Sequence, residues 1–174
     1  MKKIEDYVTT IPDFPEEGIM FRDITSVLSN ADGLELAIDE LAACLKDVEF
    51  DAFVGLESRG FIFGMPLAYK MHKPFILIRK KGKLPRETIS ETYDLEYGSA
   101  TIEVHKDDVH EGEKVVMVDD LLATGGTMEA ACKLVERLGC SVEKILFLME
   151  LAGLNGREKL SKYDISSIAV YEGK

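Results

Sequence analysis

Apolar residues in the first half of the chain predict helices and strands in turn. The first regular pattern is a stripe at helical spacing formed by Leu34, Ile38, Leu41 and Leu45. It predicts an amphipathic helix with Asp32 as its cap. Short apolar runs at 52–56 and 75–78 predict buried strands. A helix is predicted between them over 61–71, where Pro66 requires a kink or a late start.

The middle of the chain changes to an alternating pattern. Apolar residues alternate with polar ones over 100–105, and residues 93–97 precede them with Gly98 and Ser99 between the two segments. This arrangement predicts an antiparallel hairpin whose first strand ends at Tyr97.

The last third returns to strands separated by a helix. A β-branched run over 114–119 predicts a fully buried strand. A helix over 127–138 should stop at Gly139, and strands are predicted at 142–149 and 167–171. Strands that alternate with helices predict an α/β fold with a mostly parallel sheet. Ligands then bind at the carboxyl ends of the strands.

Composition indicates one globular domain without a membrane segment. The chain has 174 residues, of which 46% are hydrophobic and 30% charged. Its longest uncharged stretch, 60–69, is too short to cross a bilayer, and the N-terminus carries acidic residues where a signal peptide would be apolar. We therefore expect a cytoplasmic protein. The three cysteines and three histidines lack the spacing of disulfide scaffolds or metal sites.

Charge is distributed unevenly along the chain. The formal net charge of −11 disfavours nucleic acid as a partner. Residues 79–86 nevertheless contain five cations and no acid. This segment indicates either a local anionic ligand or an ordinary solvated loop.

The segment 119–127 combines two carboxylates with a loop of small residues that opens a helix. Backbone N–H groups of such a loop can bind a phosphate, and the carboxylates suit ribose hydroxyls or a developing positive charge. The alternative is a strand-ending turn followed by an ordinary helix cap. No GxGxxG motif is present, and Phe61 stands where the lysine of a Walker A loop after Gly55 and Gly60 would be.

Four ordered motifs resemble the adenine-specific branch of the type I phosphoribosyltransferases over essentially the whole chain. They are 115–127, 18–25, 57–61, and 79–89 continuing to 93–98. The resemblance implies a type I phosphoribosyltransferase fold, in which helices flank the sheet. It also implies a single domain with a small N-terminal hood over about 1–30 and a core over about 31–174. A flexible β-hairpin lid would include a loop over about 80–92.

The resemblance also implies roles on the phosphoribosyl side. The 5-phosphate would be held by Ala123, Thr124, Gly125, Gly126 and Thr127. The ribose hydroxyls would contact Asp119 and Asp120. The diphosphate would contact a turn and the lid, through Glu57, Ser58, Arg59, Arg79, Lys80 and Lys83. Arg59 would act as a bidentate clamp, and the alternative is a surface arginine at a strand end.

On the base side, the resemblance implies an apolar pocket for the purine. Its residues would be Met20, Phe21, Arg22 and Leu151. Glu96 and Tyr97 would act at the purine N7 and at the reaction centre. From the residues alone, Glu96 is better explained as a surface residue of a strand.

The implied reaction converts adenine and 5-phosphoribosyl 1-diphosphate to AMP and diphosphate, in purine salvage. The resemblance further implies Mg²⁺, chelated mainly by the substrate, and a homodimer. One alternative is a transferase for 6-oxopurines or xanthine, which should lack the Arg22-Asp23 hood. The other is a non-catalytic regulator that senses phosphoribosyl diphosphate, which would need a nucleic-acid-binding region beyond 79–86.

Overall fold

The structure, a computed structural model, describes residues 2–95 and 97–173. The strands are β1 (Thr9–Pro12), β2 (Met20–Asp23), β3 (Ala52–Leu56), β4 (Phe75–Lys80), β5 (Thr88–Asp94), β6 (Ser99–His105), β7 (Lys114–Leu122), β8 (Ser141–Leu151) and β9 (Ile165–Tyr171). The helices are α1 (Thr25–Leu28), α2 (Ala31–Ala43), α3 (Arg59–Met71), α4 (Gly126–Arg137) and α5 (Gly156–Lys159).

One seven-stranded sheet forms the centre of the molecule, in the order β5-β6-β4-β3-β7-β8-β9. The pairs from β4 to β9 along this order are parallel, whereas the β5–β6 hairpin joins the edge of β4 in antiparallel fashion. The predicted α/β fold with a mostly parallel sheet is therefore confirmed. Each predicted strand of the parallel part is present, with ends that differ by up to three residues.

Strand β7 explains why the sheet needs helices on both faces. Val115 and Met117 pack into a core cluster that includes residues of α4, whereas Val116 and Val118 pack into a second cluster with residues of α2 and α3. All four side chains are fully buried. The sequence of a strand that is buried on both faces is a continuous apolar run, and the run over 114–119 predicts such a strand.

Two predicted helix starts are wrong. The cap of α2 is Asn30, whose side-chain oxygen accepts a hydrogen bond from Gly33 N at 3.0 Å, so Asp32 lies inside the first turn. Helix α3 begins at Arg59, and Pro66 lies within it rather than near a late start. The missing hydrogen bond of a proline is one local loss, and the buried face of the helix outweighs it.

The hairpin is shifted toward the N-terminus relative to the prediction. Its first strand pairs from Thr88 opposite His105 to Asp94 opposite Ser99, so it ends before Tyr97. Residues 88–92, expected to belong to the flexible loop, therefore lie in a strand, and the connection from β4 spans 81–87. Side chains of this strand such as Ile89 pack against the core, which holds it on the sheet.

The predicted N-terminal hood contains a second, two-stranded sheet. Strands β1 and β2 pair antiparallel with each other and with no strand of the large sheet among the residues described. Across residues 2–95 and 97–173, none of the helices has both the length and the apolar character needed to span a membrane.

Candidate active site

The carboxyl ends of β3, β4 and β7 meet at one edge of the sheet. Leu56 is paired with Ile78, and Gly55 with Val118, so the segments that follow these strands start side by side. The three positions from which ligand contacts were expected are therefore neighbours in space.

The loop after β7 lines a cavity of about 210 Å³, here called the loop cavity. All five residues expected to hold the 5-phosphate line it: Ala123, Thr124, Gly125, Gly126 and Thr127. Gly125 has a φ of +81°, a backbone conformation that favours glycine, and α4 begins directly after it. The first N–H groups of α4 have no partner within the helix, so this end of the cavity favours an anion.

The start of α5 packs against this loop and supports it. A Cβ atom on Gly125 would lie 2.8 Å from Gly156 O, and one on Gly156 would collide with Ala123 O. Arg157 follows and donates from Nε to both carboxylate oxygens of the buried Glu150, at 2.8 and 3.0 Å. The sequence analysis missed this support, although the Asn155-Gly156 turn signal was available.

Asp119 and Asp120 form a carboxylate pair in the lining of the loop cavity. Asp120 is only 4% exposed, and its Oδ2 lies 3.0 Å from Arg59 Nε. Asp120 N also donates a hydrogen bond of 2.9 Å to Asp119 Oδ1. Burial, together with the neighbouring Asp120 charge, raises the pKa of Asp119 well above its ordinary value.

A second cavity, of about 100 Å³, lies under the hood and is here called the hood cavity. The four residues expected to hold the base all line it: Met20, Phe21, Arg22 and Leu151. Ile19, Leu121 and Met149 also line it and were missed by the sequence analysis. Alternation along β8 could have identified Met149, which lies two positions before Leu151 on the same face of the strand.

Arg59 and Asp120 line both cavities. The guanidinium of Arg59 is half exposed and forms an ion pair with Asp120. The two cavities are thus adjacent. The hood cavity is mostly apolar, whereas the loop cavity presents backbone N–H groups and carboxylates.

The cationic segment 79–86, here called the lid segment, is anchored at both ends by carboxylates. Arg79 donates two hydrogen bonds of 3.2 Å to Glu57, which also accepts from Lys80 N at 2.8 Å. Burial acts to raise the pKa of Glu57, but the hydrogen bonds from Arg79 and Lys80 outweigh it and lower that pKa. At the other end, Arg86 Nη2 donates to Asp108 at 2.7 and 2.8 Å.

Three cations of the lid segment are exposed and form no ion pair with the described part of the chain; they are called the lid lysines and are Lys80, Lys81 and Lys83. Glu57, Ser58 and Arg79 line neither cavity. Glu57 and Arg79 instead bind each other, an arrangement that sequence reasoning did not anticipate because they are far apart in the chain. The lid lysines are therefore the free positive charge of this segment.

The structure does not bring Tyr97 together with either cavity. Its side chain is 92% exposed in the hairpin turn and belongs to the lining of neither cavity. Glu96, its expected partner, lies outside the residues that the structure describes.

Comparisons with known proteins agree on one family. The model of the phosphoribosyl transferase domain matches residues 25–171. The chain is 66% identical to an adenine phosphoribosyltransferase of Agathobacter rectalis, over the full length of both proteins. It resembles the crystal structure of adenine phosphoribosyltransferase from Thermoanaerobacter pseudethanolicus with a TM-score of 0.92 and 52% identity, covering 97% of this chain and 98% of that one. The Giardia lamblia enzyme, crystallised with 9-deazaadenine, matches with a TM-score of 0.90 and 38% identity over 99% of each chain.

Proposed function

This chain belongs to the phosphoribosyl transferase family, and we propose from that premise that it converts adenine and 5-phosphoribosyl 1-diphosphate to AMP and diphosphate in purine salvage. The observation that carries the proposal is the wall shared by the two cavities. Arg59 and Asp120 line both, so a purine in the hood cavity and a sugar phosphate in the loop cavity would meet beside one carboxylate. The full-length likeness to adenine phosphoribosyltransferases supports adenine as the base.

The loop cavity would hold the phosphoribosyl group. Its backbone N–H groups and the hydroxyls of Thr124 and Thr127 donate to the 5-phosphate, and the start of α4 adds favourable partial charge. Asp119 and Asp120 accept hydrogen bonds from the ribose hydroxyls, which an acceptor-only carboxylate is suited to do. Arg59 and the lid lysines would neutralise the diphosphate.

The bond to the diphosphate would break in a dissociative step with inversion at C1. Positive charge that develops on the ribosyl group is stabilised by the carboxylates of Asp119 and Asp120, and adenine N9 attacks from the hood side. Closure of the lid segment excludes water, which would otherwise hydrolyse the sugar. Glu96 and Tyr97 are proposed to handle the purine N7 proton, on the strength of the motif match.

Magnesium is part of the proposal. The donor set fits a weakly held ion, since Asp119 and Asp120 offer hard oxygen ligands but residues 2–95 and 97–173 contain no group of three His, Cys, Asp or Glu able to hold a metal. The ion would be chelated mainly by diphosphate and ribose oxygens of the substrate, and Asp119 and Asp120 would lie beside it on the protein side. When bound, it would neutralise negative charge on the diphosphate.

A homodimer in the cytoplasm completes the proposal. Ile62, Met65 and Tyr69 lie at helical spacing on α3 and are 38%, 58% and 90% exposed, which suits a surface covered by a second copy. Light scattering after size-exclusion chromatography should give twice the mass of the chain. The Met65→Glu variant should give a mass closer to that of a single chain. A wild-type mass equal to a single chain contradicts the dimer.

The deciding experiment supplies the purified protein with 5-phosphoribosyl 1-diphosphate, Mg²⁺ and one of four bases: adenine, hypoxanthine, guanine or xanthine. Chromatography of the products should show AMP and no comparable amount of the other nucleotides. Faster use of a 6-oxopurine would support that alternative. Binding of phosphoribosyl diphosphate without any product would support the regulator.

A further inference from the structure

The hood cavity needs its two walls held at a fixed separation. One wall comes from β2 through Met20, Phe21 and Arg22, and the other comes from β8 through Leu151. No backbone ladder joins these strands among the residues described. Side chains must therefore set the distance between the hood strand and the core at this point.

Arg22 makes such a contact with the last strand. Its guanidinium carbon lies 4.3 Å from the centre of the Tyr171 ring, and its Nη1 is hydrogen-bonded to Thr10 Oγ1 on the neighbouring hood strand. Arg22 Nε is buried and has no acceptor in the described part of the chain. Arg22 as a whole is partly buried, and a guanidinium shielded from water is held over an aromatic face more strongly than an exposed one.

Tyr171 also adjoins the opposite wall of the cavity. In the register of β8 and β9 it is paired with Leu151, so the two residues are neighbours across the sheet. Tyr171 thus contacts the hood through Arg22 and lies beside the core residue that lines the cavity. It does not line the hood cavity itself.

The ring of Tyr171, rather than its hydroxyl, makes this connection. The hydroxyl is buried and has no hydrogen-bond partner within residues 2–95 and 97–173. Its removal costs no hydrogen bond, which makes phenylalanine a matched control for the loss of the ring.

We propose that Tyr171 is a positioning residue that sets the width of the base-binding cavity by holding Arg22 of the hood against the core beside Leu151. The inference rests on the proposed function, because the cavity is taken to bind adenine. Tyr171 should affect binding of the base and not of the sugar phosphate, since Tyr171 and Arg22 are absent from the lining of the loop cavity.

The test compares Tyr171→Leu with Tyr171→Phe by steady-state kinetics in both substrates. Tyr171→Leu should raise the KM for adenine by about tenfold, a loss within the range of a partly buried cation–π contact. The KM for 5-phosphoribosyl 1-diphosphate should change less than about twofold, and selectivity for adenine over hypoxanthine should fall. Tyr171→Phe should match the wild type in both KM values and in the selectivity for adenine over hypoxanthine.

Each other outcome overturns the inference. An unchanged KM for adenine in Tyr171→Leu shows that the ring does not position the hood, and an equal rise in both KM values shows only a general structural role. A Tyr171→Phe variant as impaired as Tyr171→Leu assigns the effect to the hydroxyl. If Tyr171→Leu does not fold, Arg22→Lys tests the same contact, because it keeps the charge but loses the planar stacking group. An adenine KM in Arg22→Lys equal to that of the wild type overturns the inference. Wild-type activity on adenine is measured first and tests the proposed function separately.

Discussion

Gly125→Ala is the most direct test of the phosphate loop. The variant places a methyl group at a residue with a φ of +81°, where its Cβ would lie 2.8 Å from Gly156 O. That neighbour is backbone and cannot rotate away, so the loop or the start of α5 must shift. The change should therefore affect both stability and ligand binding.

The magnitude follows from two separate costs. A residue other than glycine in the left-handed region costs about 1–2 kcal/mol. Overpacking against a fixed neighbour costs a further ~1–3 kcal/mol. The free energy of unfolding should fall by the sum of these costs, and a loop displaced by about 1 Å should lower kcat/KM for 5-phosphoribosyl 1-diphosphate by about 100-fold.

Gly112→Ala is the matched control. Gly112 has a similar φ of +85°, but a Cβ atom there would have nothing within 4 Å, and the residue precedes β7 rather than following it. In the control variant, the free energy of unfolding should fall only by the backbone cost of about 1–2 kcal/mol. Its affinity for 5-phosphoribosyl 1-diphosphate should equal that of the wild type. Chemical denaturation and calorimetry with 5-phosphoribosyl 1-diphosphate measure the two effects. Equal behaviour of both variants, or unchanged affinity in Gly125→Ala, would refute the reasoning.

Three further predictions concern the lid, the base side and the pH dependence of stability. Changing all three lid lysines to glutamine should raise the KM for 5-phosphoribosyl 1-diphosphate by about tenfold or more, and the KM for adenine should change by less than about twofold. High salt should have the same effect on the wild type. Equal increases in both KM values would indicate a plain solvated loop. Glu96→Gln should lower kcat by at least about tenfold and flatten the acidic limb of the pH–rate profile, and a wild-type profile would contradict its role. Burial acts to raise the pKa of Glu150, but hydrogen bonds from Arg157 outweigh burial, and the pKa is lowered. The ionised Glu150 carboxylate therefore stabilises the fold at pH values above the pKa that Glu150 has in the unfolded chain. This stabilisation is lost as the pH falls through the lower pKa that Glu150 has in the folded protein. Glu150→Gln should thus cost about 1–3 kcal/mol at pH 7 and less at pH ~3, measured by urea denaturation; a pH-independent cost would contradict the argument.

The parallel core was predictable because burial on both faces leaves a local signal. The run Val115–Val118 has no polar alternation, and the structure packs its odd and even positions into different clusters. The position of the loop 123–127 at the start of a helix was equally predictable, since its run of small residues follows a buried strand directly. Both patterns are contained within a few consecutive residues.

The ion pairs of the site could not be predicted in the same way. The pairs Arg59 with Asp120 and Glu57 with Arg79 each join residues from distant segments of the chain. Their pairing depends on which strands are neighbours and in what register, and that information is spread over the whole sheet. The ends of the hairpin were misplaced for a similar reason, because packing of Ile89 against the core decides where β5 begins.

The electrostatics of the carboxylate pair explain why this site would favour charge separation. Burial and the adjacent Asp120 charge raise the pKa of Asp119, which means that its ionised form is held at a cost, and the charge of Arg59 offsets this only in part. A ribosyl group that gains positive charge beside the pair removes that cost, whereas the neutral sugar does not. In the proposed reaction, the favourable interaction would therefore grow as the bond to the diphosphate breaks, and an interaction of this kind lowers the barrier rather than merely tightening substrate binding. Because Asp120 also lines the hood cavity, the charge would develop where the base is already in place to attack.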